Sequence, residues 1–246
     1  MTVAQLLPPR RPDVPDLAWS VGEKAAKEEP KALYDTYSNS VANAALNTLI
    51  AAARQEPQMT EQLQTALAGR GAALEGLQHR LKSPSSLARK IRKKEIEDFL
   101  PPAQAAAKLD DTTRYTVSTA RLSDLVPALT HSINSLVAHG WTVRSAEHSF
   151  LKGNPYKGIH IILANSSGQR CEVQFHTTKA LEVKGRGHEE YEVYRDIDLP
   201  ADERKQAFAR CVKLWDNVPT PPGLRALDTL GGTPVVVKDY RPKEGS

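Results

Sequence analysis

Basic side chains and hydroxyls recur between residues 79 and 90 at spacings that place them on common faces. Arg80 and Lys82 lie two apart in a segment predicted to be a strand, so both are expected on one side of it. Ser86 and Lys90 lie four apart in the helix predicted to follow, and therefore share a helix face. The first N–H groups of a helix have no partner within the helix and favour phosphate. The segment therefore predicts a phosphate-binding junction, and a solvated basic helix face is the alternative.

Acidic side chains fall at two predicted strands. Asp111 directly precedes Thr112–Thr119, a segment that alternates and is rich in Thr, Tyr and Val, as is typical of a strand. A carboxylate fixed at the end of a buried strand is a common magnesium ligand, although the same residue type also ends helices. In the predicted strand Gln169–Thr177, one face is apolar and the other carries Glu172, Gln174 and His176. We expect that polar face to be functional, and a face turned to solvent is the alternative.

A loop with the sequence Lys-Gly-Asn-Pro-Tyr-Lys-Gly-Ile-His occupies residues 152–160. It is basic, contains glycine and surrounds Tyr156, an aromatic residue that is predicted to be exposed. An exposed aromatic ring can stack a nucleobase while Lys152 and Lys157 meet phosphates. A tight loop with an incidental tyrosine is the alternative.

The composition excludes several classes of protein. The chain has 246 residues, 40% of them hydrophobic, and 33 Lys and Arg against 29 Asp and Glu, a net charge of +4. That excess is too small for a dedicated duplex-DNA binder but favours a mildly anionic ligand. No apolar run approaches the ~18 residues of a membrane span, and the N-terminal residues lack the apolar core of a secretory signal. Cys171 and Cys211, without a CxxC pair, exclude a disulfide framework and structural zinc.

The hydrophobic patterns predict an α+β domain, with a mixed sheet of about five strands flanked by helices. Strands are predicted over Leu74–Leu81, Thr112–Thr119, Trp141–Glu147, Gly158–Leu163 and Gln169–Thr177, with a further edge strand at Pro234–Lys238. Helices are predicted over Lys31–Gln55, Thr60–Leu67, Pro84–Phe99, Ser123–His139, Thr178–Arg195 and Ala201–Asn217.

The predicted domain organisation has three parts. Residues 1–30 are rich in proline and mixed charge and predict a linker or flexible arm. Residues 31–218 are expected to form the main domain, with N-terminal helices over 31–72 and a catalytic core over 73–218. Residues 219–246 form a tail rich in proline and glycine.

The order and internal spacing of these blocks resemble the synthetase domain of the RelA/SpoT family, the alarmone synthetases. The resemblance covers about residues 74–195 and consists of Arg80-x-Lys82-x3-Ser86-x3-Lys90, Asp111 before a strand, Lys152-x-Asn154-x-Tyr156-x3-His160, and Glu172-x-Gln174. The phrases Asp-Thr-Thr-Arg-Tyr-Thr-Val and Tyr-Lys-Gly-Ile-His are similar to the toxin branch of that family, which occurs in interbacterial effectors and toxin–antitoxin systems.

The resemblance implies a nucleotidyltransferase-like fold and transfer of the β,γ-pyrophosphate of ATP to the ribose 3′-hydroxyl of a purine nucleotide, with release of AMP. It implies that Asp111 and Glu172 bind Mg²⁺ and that Glu172 accepts the hydroxyl proton. It assigns the ATP phosphates to Arg80, Lys82, Ser86 and Lys90. It assigns the acceptor, either GDP or GTP or else ADP or ATP, to Lys152, Asn154, Tyr156, His160, Gln174 and His176. Further candidates are Arg114, His188 and Tyr191.

Three departures from the family bear on the acceptor. The usual Asp ahead of the Lys-x-Asn-x-Tyr loop has no counterpart, His176 stands where the family often has Arg, and Arg114 stands where ordinary members have Gly. Guanine and adenine both remain open as acceptor bases, and the missing Asp together with Arg114 favours the adenine-accepting toxin branch. No His-Asp dipeptide occurs, so the family's hydrolase domain is not expected.

The toxin branch implies (p)ppGpp or (p)ppApp as product, inhibition of growth, and an immunity protein or antitoxin as partner. It implies action in the cytoplasm, and delivery into a target cell within a larger secreted effector is consistent with it. Two alternatives stay open. One is pyrophosphorylation of the 3′ end of tRNA, for which the basic helix at residues 89–94 offers a surface. The other is an inert nucleotide- or partner-binding module; no membrane partner is expected.

Overall fold

In the computed structural model, residues 2–8, 12–196 and 198–241 are described, apart from the side chains of Ala4 and Lys24. The helices are α1 (Val3–Leu6), α2 (Ala25–Glu28), α3 (Pro30–Thr36), α4 (Asn39–Leu67), α5 (Pro84–Glu97), α6 (Pro102–Ala107), α7 (Leu122–Ala138), α8 (Thr178–Arg186), α9 (His188–Arg195) and α10 (Ala201–Asp216). The strands are β1 (Ala72–Glu75), β2 (Arg114–Thr119), β3 (Thr142–His148), β4 (Ile159–Ala164), β5 (Arg170–Thr177), β6 (Thr229–Leu230) and β7 (Thr233–Val237).

The strands form a mixed sheet in the order β1-β2-β5-β4-β3-β7-β6. β7 pairs parallel to β3, with Val235 opposite Ala146, and antiparallel to β6. The predicted α+β class, with a mixed sheet and flanking helices, is therefore confirmed. The described residues contribute seven strands rather than about five. The prediction that 234–238 adds an edge strand is wrong in position, because β6 pairs with the outer side of β7.

Two compact units make up the chain. Unit 1 consists of Met1–Thr65, Leu74–Thr116 and Ile162–Val173. Unit 2 consists of Ala66–Ala73, Val117–Ile161 and Gln174–Ser246. Each unit thus draws on separated stretches of sequence.

The hydrophobic core of unit 1 includes residues that were predicted to belong to a flexible arm. Leu17 and Trp19 are buried in one cluster with side chains of α3, α4 and α5, among them Leu33, Leu49 and Leu87. The indole Nε1 of Trp19 donates to the carbonyl of residue 81 at 2.9 Å. The prediction of an arm is therefore wrong for the described part of residues 1–30. Its apolar side chains lack a helical or strand period, but they bury against α3, α4 and α5.

Three segments fold differently from their predictions. The two helices predicted over 31–67 are α3 followed by α4, and α4 continues through Pro57. The strand predicted over 74–81 is β1 followed by a 3-10 turn, Leu77–His79, and Leu81 forms an isolated bridge to Thr113. The helix predicted over 178–195 is divided into α8 and α9 at Gly187.

An aromatic cluster lies inside unit 2. Tyr156 is in contact with Trp215 at 5.1 Å and with Tyr191 at 6.2 Å between ring centroids, and Tyr194 extends the cluster to Phe208. These rings join the loop before β4 to α9 and α10. Over the described residues, no helix combines the length and the hydrophobicity needed to cross a membrane.

Candidate functional site

Backbone pairing in unit 1 brings the predicted phosphate and metal residues to one place. The N–H of Lys82 donates to the carbonyl of Thr112 at 2.9 Å. The carbonyl of Thr113 accepts from the N–H of Glu172 at 2.9 Å. The residues that follow Asp111 therefore lie between the Lys82 segment and the start of β5.

The carboxylate of Asp111 is held by two lysines. Its Oδ2 lies 3.0 Å from Nζ of Lys82 and 2.5 Å from Nζ of Lys90. Burial alone would raise the pKa of Asp111, but the two ammonium groups outweigh burial and hold that pKa below its usual value. Burial also lowers the pKa of Lys82, against the opposing effect of Asp111 and with the support of Lys90. Asp111 is therefore an ionised carboxylate at neutral pH.

A cavity of about 240 Å³, the Lys82 cavity, opens at this cluster and is lined by Trp19, Lys82, Ser83, Ser86, Asp111 and Arg114. Ammonium and guanidinium groups with nearby hydroxyls are strong donors to phosphate oxygens. Two of the predicted ATP-binding residues, Lys82 and Ser86, thus line one cavity with Asp111. Arg114, predicted as a further candidate, is exposed and lines it as well.

A second cavity of about 430 Å³, the Glu172 cavity, is lined by Lys90, Lys94, Lys108, Asp110, Asp111 and Glu172. Asp111 lines both cavities. Asp110 differs from it, because its Oδ1 is paired with a guanidinium nitrogen of Arg170 at 2.8 Å. Asp111 and Glu172, the two carboxylates predicted as metal ligands, therefore face a shared space within unit 1.

The donor set of the Glu172 cavity fits Mg²⁺. Over the described residues, no group of three or more His, Cys, Asp or Glu is placed to hold a metal ion. Mg²⁺, however, is usually held by one or two carboxylates together with substrate phosphates and water. The Oδ2 of Asp111 is already in contact with two lysines, so metal binding there competes with them.

The first backbone positions of α5 have no N–H left for phosphate. The N-cap Ser83 accepts from the N–H of Ser86 at 3.3 Å, and the first helical residue is Pro84, which has no N–H. Ser85 donates its N–H and its hydroxyl to the two carboxylate oxygens of Glu28, each at 2.8 Å. The expectation that free N–H groups bind phosphate here is therefore wrong. Side chains have to supply those donors.

Arg80 lies away from the position predicted for it. Its Nε is 2.9 Å from Oε1 of Glu56, its Nη1 donates to the carbonyl of Pro15 at 2.8 Å, and the residue is only 6% exposed. The 3-10 turn at Leu77–His79 replaces the predicted strand, so the spacing of two no longer places Arg80 and Lys82 on one side. The assignment of Arg80 to the ATP phosphates is contradicted by this buried ion pair.

In unit 2, the hydroxyl of Tyr156 joins two histidines. Its Oη lies 2.8 Å from Nε2 of His160 and 3.0 Å from Nε2 of His176. Burial lowers the pKa of His176 well below its usual value, with Lys184 and His160 adding to the effect, so the ring is neutral. We assign its proton to Nε2, because the buried Nδ1 has no hydrogen-bond partner among the described residues. His176 then donates to Tyr156, and Tyr156 donates to His160.

Several predicted acceptor-binding side chains are buried in unit 2. Tyr156 is 8% exposed, so the prediction of an exposed aromatic ring is wrong. Asn154 is fully buried and donates its amide to the carbonyls of Ser149 and Lys238, each at 2.9 Å. Lys157 is buried and donates to the carbonyl of Val218, which contradicts the predicted phosphate contact. The close packing of the loop before β4 explains these three differences.

The remaining predicted residues of unit 2 differ in exposure. Lys152 and His188 are exposed, His160 and Tyr191 are half-buried, and Gln174 is buried. Lys184, which was not predicted, donates to Oε1 of Gln174 at 2.8 Å and lies 6.0 Å from the ring centroid of Tyr156. Its position in the helix predicted to follow the strand with the polar face was the signal available in the sequence.

The solved structures to which the chain is similar include the following three. The Type VI effector Tas1, in complex with its immunity protein, is 15% identical over 72% of this chain and 93% of that chain, with a TM-score of 0.45. Small alarmone synthetase 1 from Bacillus subtilis bound to its product pppGpp is 15% identical over 65% and 88%, with a TM-score of 0.41. A second structure of that synthetase is 15% identical over 65% and 87%, with a TM-score of 0.43.

Alarmone synthetases are the family that the sequence blocks resemble. No family model matches the chain, and no curated protein matches it. At 15% identity, the roles of individual side chains depend on their own geometry.

Proposed function

We propose that the protein is an ATP-dependent nucleotide pyrophosphokinase. It transfers the β,γ-pyrophosphate of ATP to the ribose 3′-hydroxyl of a purine nucleotide, making (p)ppGpp or (p)ppApp and releasing AMP. The observation that carries this proposal is the position of Asp111, which contacts Lys82 and Lys90 and lines both cavities of unit 1. Phosphoryl-type transfer depends mainly on positioning and on neutralising phosphate charge, and this cluster offers both.

Lys82, Lys90 and the hydroxyl of Ser86 hold the triphosphate in this proposal. In the structure, both lysines contact one carboxylate, and a phosphate chain offers them more oxygens with more negative charge. Asp111 and Glu172 would hold Mg²⁺, which supplies additional positive charge to the phosphate oxygens. Arg114 takes the place that was expected for Arg80, since it lines the Lys82 cavity whereas Arg80 is paired with Glu56.

Glu172 is the proposed general base. The 3′-oxygen of the acceptor attacks the β-phosphorus of ATP, the bond between that phosphorus and the α,β-bridging oxygen breaks, and AMP leaves with that oxygen. The proton of the 3′-hydroxyl passes to the Glu172 carboxylate. Glu172 is half-buried on β5, and its backbone is fixed by pairing with Thr113. A strand-borne carboxylate of this kind is well positioned for proton transfer.

The acceptor nucleotide is proposed to be bound by side chains of unit 2, namely Lys152, Asn154, Tyr156, His160, Gln174 and His176. Because Asn154 and His176 are fully buried, we assign them positioning roles. Asn154 holds the loop, and His176 orients the hydroxyl of Tyr156. Stacking of a base on the Tyr156 face that Lys184 covers requires Lys184 to move.

Separate incubations of the protein with Mg²⁺, β,γ-labelled ATP and one acceptor, either GDP, GTP, ADP, ATP or deacylated tRNA, test this function. The expected result is a labelled acceptor together with one equivalent of AMP. Label that appears on deacylated tRNA alone would support the tRNA alternative instead. Nucleotide binding without any transfer would support the inert module.

Together with this activity, we propose that the protein inhibits growth by acting in the cytoplasm, where its donor substrate ATP is available. An immunity protein or antitoxin is the partner expected for such a toxin. Growth arrest on induction of the wild-type chain, absent on induction of a Glu172→Gln variant, is the expected result. Equal arrest by both chains would contradict it.

A further inference from the structure

Residues 12–29, here called the N-terminal strap, are hydrogen-bonded to the segment that carries Lys82. Nη1 of Arg80 donates to the carbonyl of Pro15 at 2.8 Å. The N–H of Ala18 donates to the carbonyl of Gln78 at 2.8 Å. The strap therefore runs beside the 3-10 turn that leads into the Lys82 cavity, and both lie in unit 1.

Trp19 brings an aromatic surface to the Lys82 cavity. Its Nε1 donates to the carbonyl of Leu81 at 2.9 Å, so the only polar atom of the indole is already satisfied. Trp19 is 8% exposed, and it lines the cavity. The surface it offers to a ligand is therefore apolar ring carbon.

The rest of the Lys82 cavity is lined by the apolar residues Ala18 and Leu81, by His79, and by the polar or charged residues Lys82, Ser83, Ser86, Asp111 and Arg114. A ligand that fits must carry anionic oxygens for the lysine and hydroxyls, and a flat apolar part for the indole. A nucleotide has both, and base–aromatic stacking is a recurrent means of holding it.

Arg80 is unavailable for the base, because it is paired with Glu56 at 2.9 Å and is not among the residues that line the Lys82 cavity. The planar side chains in the lining of the Lys82 cavity are those of Trp19, His79 and Arg114, and the last two are exposed. A guanidinium can cover one face of a base while an indole covers the other.

We propose that Trp19 forms the wall of the Lys82 cavity against which the purine base of the nucleoside triphosphate lies. This rests on the proposed function, in which Lys82 and Ser86 of this cavity bind phosphates of the triphosphate. The strap is then part of the donor-nucleotide site, and Trp19 contributes affinity for the base and none for the phosphates.

The test compares two ligands in the presence of Mg²⁺: α,β-methylene-ATP, which cannot release AMP, and inorganic tripolyphosphate, which lacks a base. Dissociation constants are measured by calorimetry for the wild type, Trp19→Ala and Trp19→Phe. We expect Trp19→Ala to weaken binding of the ATP analogue about 5- to 150-fold, the range typical of one stacked base. Binding of tripolyphosphate should change by less than about twofold. Trp19→Phe keeps an aromatic surface and should retain most of the preference for the analogue.

Indole fluorescence gives a second readout. The ATP analogue should quench emission of the wild type more than tripolyphosphate does, and Trp19→Phe should remove that difference. Trp141→Phe is the matched control, since Trp141 is buried in unit 2 and should leave the difference intact.

Three outcomes would overturn the inference. Unchanged binding of the ATP analogue by Trp19→Ala rejects the base contact while leaving the proposed function in place. Equal losses of affinity for the analogue and for tripolyphosphate show that Trp19 stabilises the Lys82 segment without contacting the base. Absence of binding of either ligand by the wild type rejects the proposed function and this inference together.

Discussion

Nζ of Lys90 lies 2.5 Å from Oδ2 of Asp111, the same oxygen that Nζ of Lys82 contacts at 3.0 Å. One carboxylate oxygen thus engages two cations that are also the expected partners of a triphosphate. Binding of ATP must redistribute these contacts, with phosphate oxygens taking the lysines and a divalent cation taking Asp111. The ion cluster therefore keeps the phosphate-binding lysines in place before the substrate arrives.

Substitution Asp111→Asn is expected to lower the free energy of unfolding at pH 7 by about 1–3 kcal/mol, because Lys82 is then left largely buried beside a neutral group. The pKa of Asp111 is lowered on folding, so its contribution is fully present above its unfolded-state pKa near 4 and is lost as pH falls through the folded-state value. Urea unfolding at pH 7 and below pH 4 checks both points.

Asp110→Asn is the matched control for that change, since Asp110 is 43% exposed in its ion pair with Arg170. It should cost less than about 1 kcal/mol at pH 7. Equal losses of unfolding free energy in the two variants would show that the contacts of Asp111 with Lys82 and Lys90 stabilise the protein no more than an exposed ion pair does.

Replacement of the proposed general base, Glu172→Gln, is expected to reduce kcat about 10²- to 10⁴-fold, because it removes the proton acceptor and one of the two proposed Mg²⁺ ligands. The amide cannot accept the hydroxyl proton but keeps the shape of the side chain. Glu97→Gln removes a carboxylate from the same cavity, where Glu97 is 57% exposed and pairs with Lys93, and should retain activity. Quenched-flow product analysis separates transfer from binding, and comparable losses in both variants would refute the assignment.

Glu28→Ala is expected to destabilise the protein by about 1–3 kcal/mol, because the N–H and hydroxyl of Ser85 at the start of α5 lose their acceptors. Glu23→Ala, an exposed glutamate in the same segment, should change the free energy of unfolding by less than about 0.5 kcal/mol. Chemical unfolding monitored by circular dichroism measures the difference. A neutral Glu28→Ala variant would mean that water replaces the carboxylate at no cost.

Gly158→Ala tests the close packing around Tyr156. An added Cβ would lie 2.6 Å from the Tyr156 hydroxyl oxygen and 2.8 Å from Cε1 of His176, so we expect a loss of about 1–3 kcal/mol in stability. The comparison is Gly185→Ala in α8, where a Cβ meets no described atom within 4 Å and should stabilise the helix by about 0.5–1 kcal/mol. Thermal melts of both variants suffice, and a stable Gly158→Ala protein would mean that the loop is free to shift.

The pKa of His176 is lowered on folding, so its neutral form contributes stability that is complete above about pH 6.5 and is lost as pH falls below that value. His176→Gln should therefore show a weaker fall in unfolding free energy between pH 7.5 and 5.5, by up to about 1.4 kcal/mol per pH unit. His139→Gln, at an exposed position, should follow the wild-type pH dependence. Parallel curves for His176→Gln and the wild type would contradict the buried neutral ring.

Local patterns predicted most of the regular elements, because strand alternation and helical spacing are properties of neighbouring residues. The strand predicted over 112–119 is β2 from Arg114 to Thr119, and the strand predicted over 169–177 is β5 from Arg170 to Thr177. That Asp111 and Glu172 act together was predicted from the resemblance to the synthetase family, and both residues line the Glu172 cavity.

Contacts between distant residues could not be predicted in this way. Arg80 pairs with Glu56, and Trp19 bonds to the carbonyl of Leu81, across 24 and 62 positions of the sequence. Burial of Tyr156 likewise depends on Trp215 from α10. Hydrophobic periodicity carries no information about partners this far apart in the sequence. For that reason Arg80 was predicted to bind phosphate, and the strap was predicted to be part of a flexible arm.

The bonds between Glu28 and Ser85 have a practical consequence for expression of this protein. A shortened version that begins at residue 31, chosen because the preceding sequence looks dispensable, would remove a structural part of unit 1. Trimming there would leave the start of α5 without its acid partner and expose the hydrophobic surface that Leu17 and Trp19 now cover. Low solubility of such a truncated form would then reflect the loss of part of the hydrophobic core of unit 1.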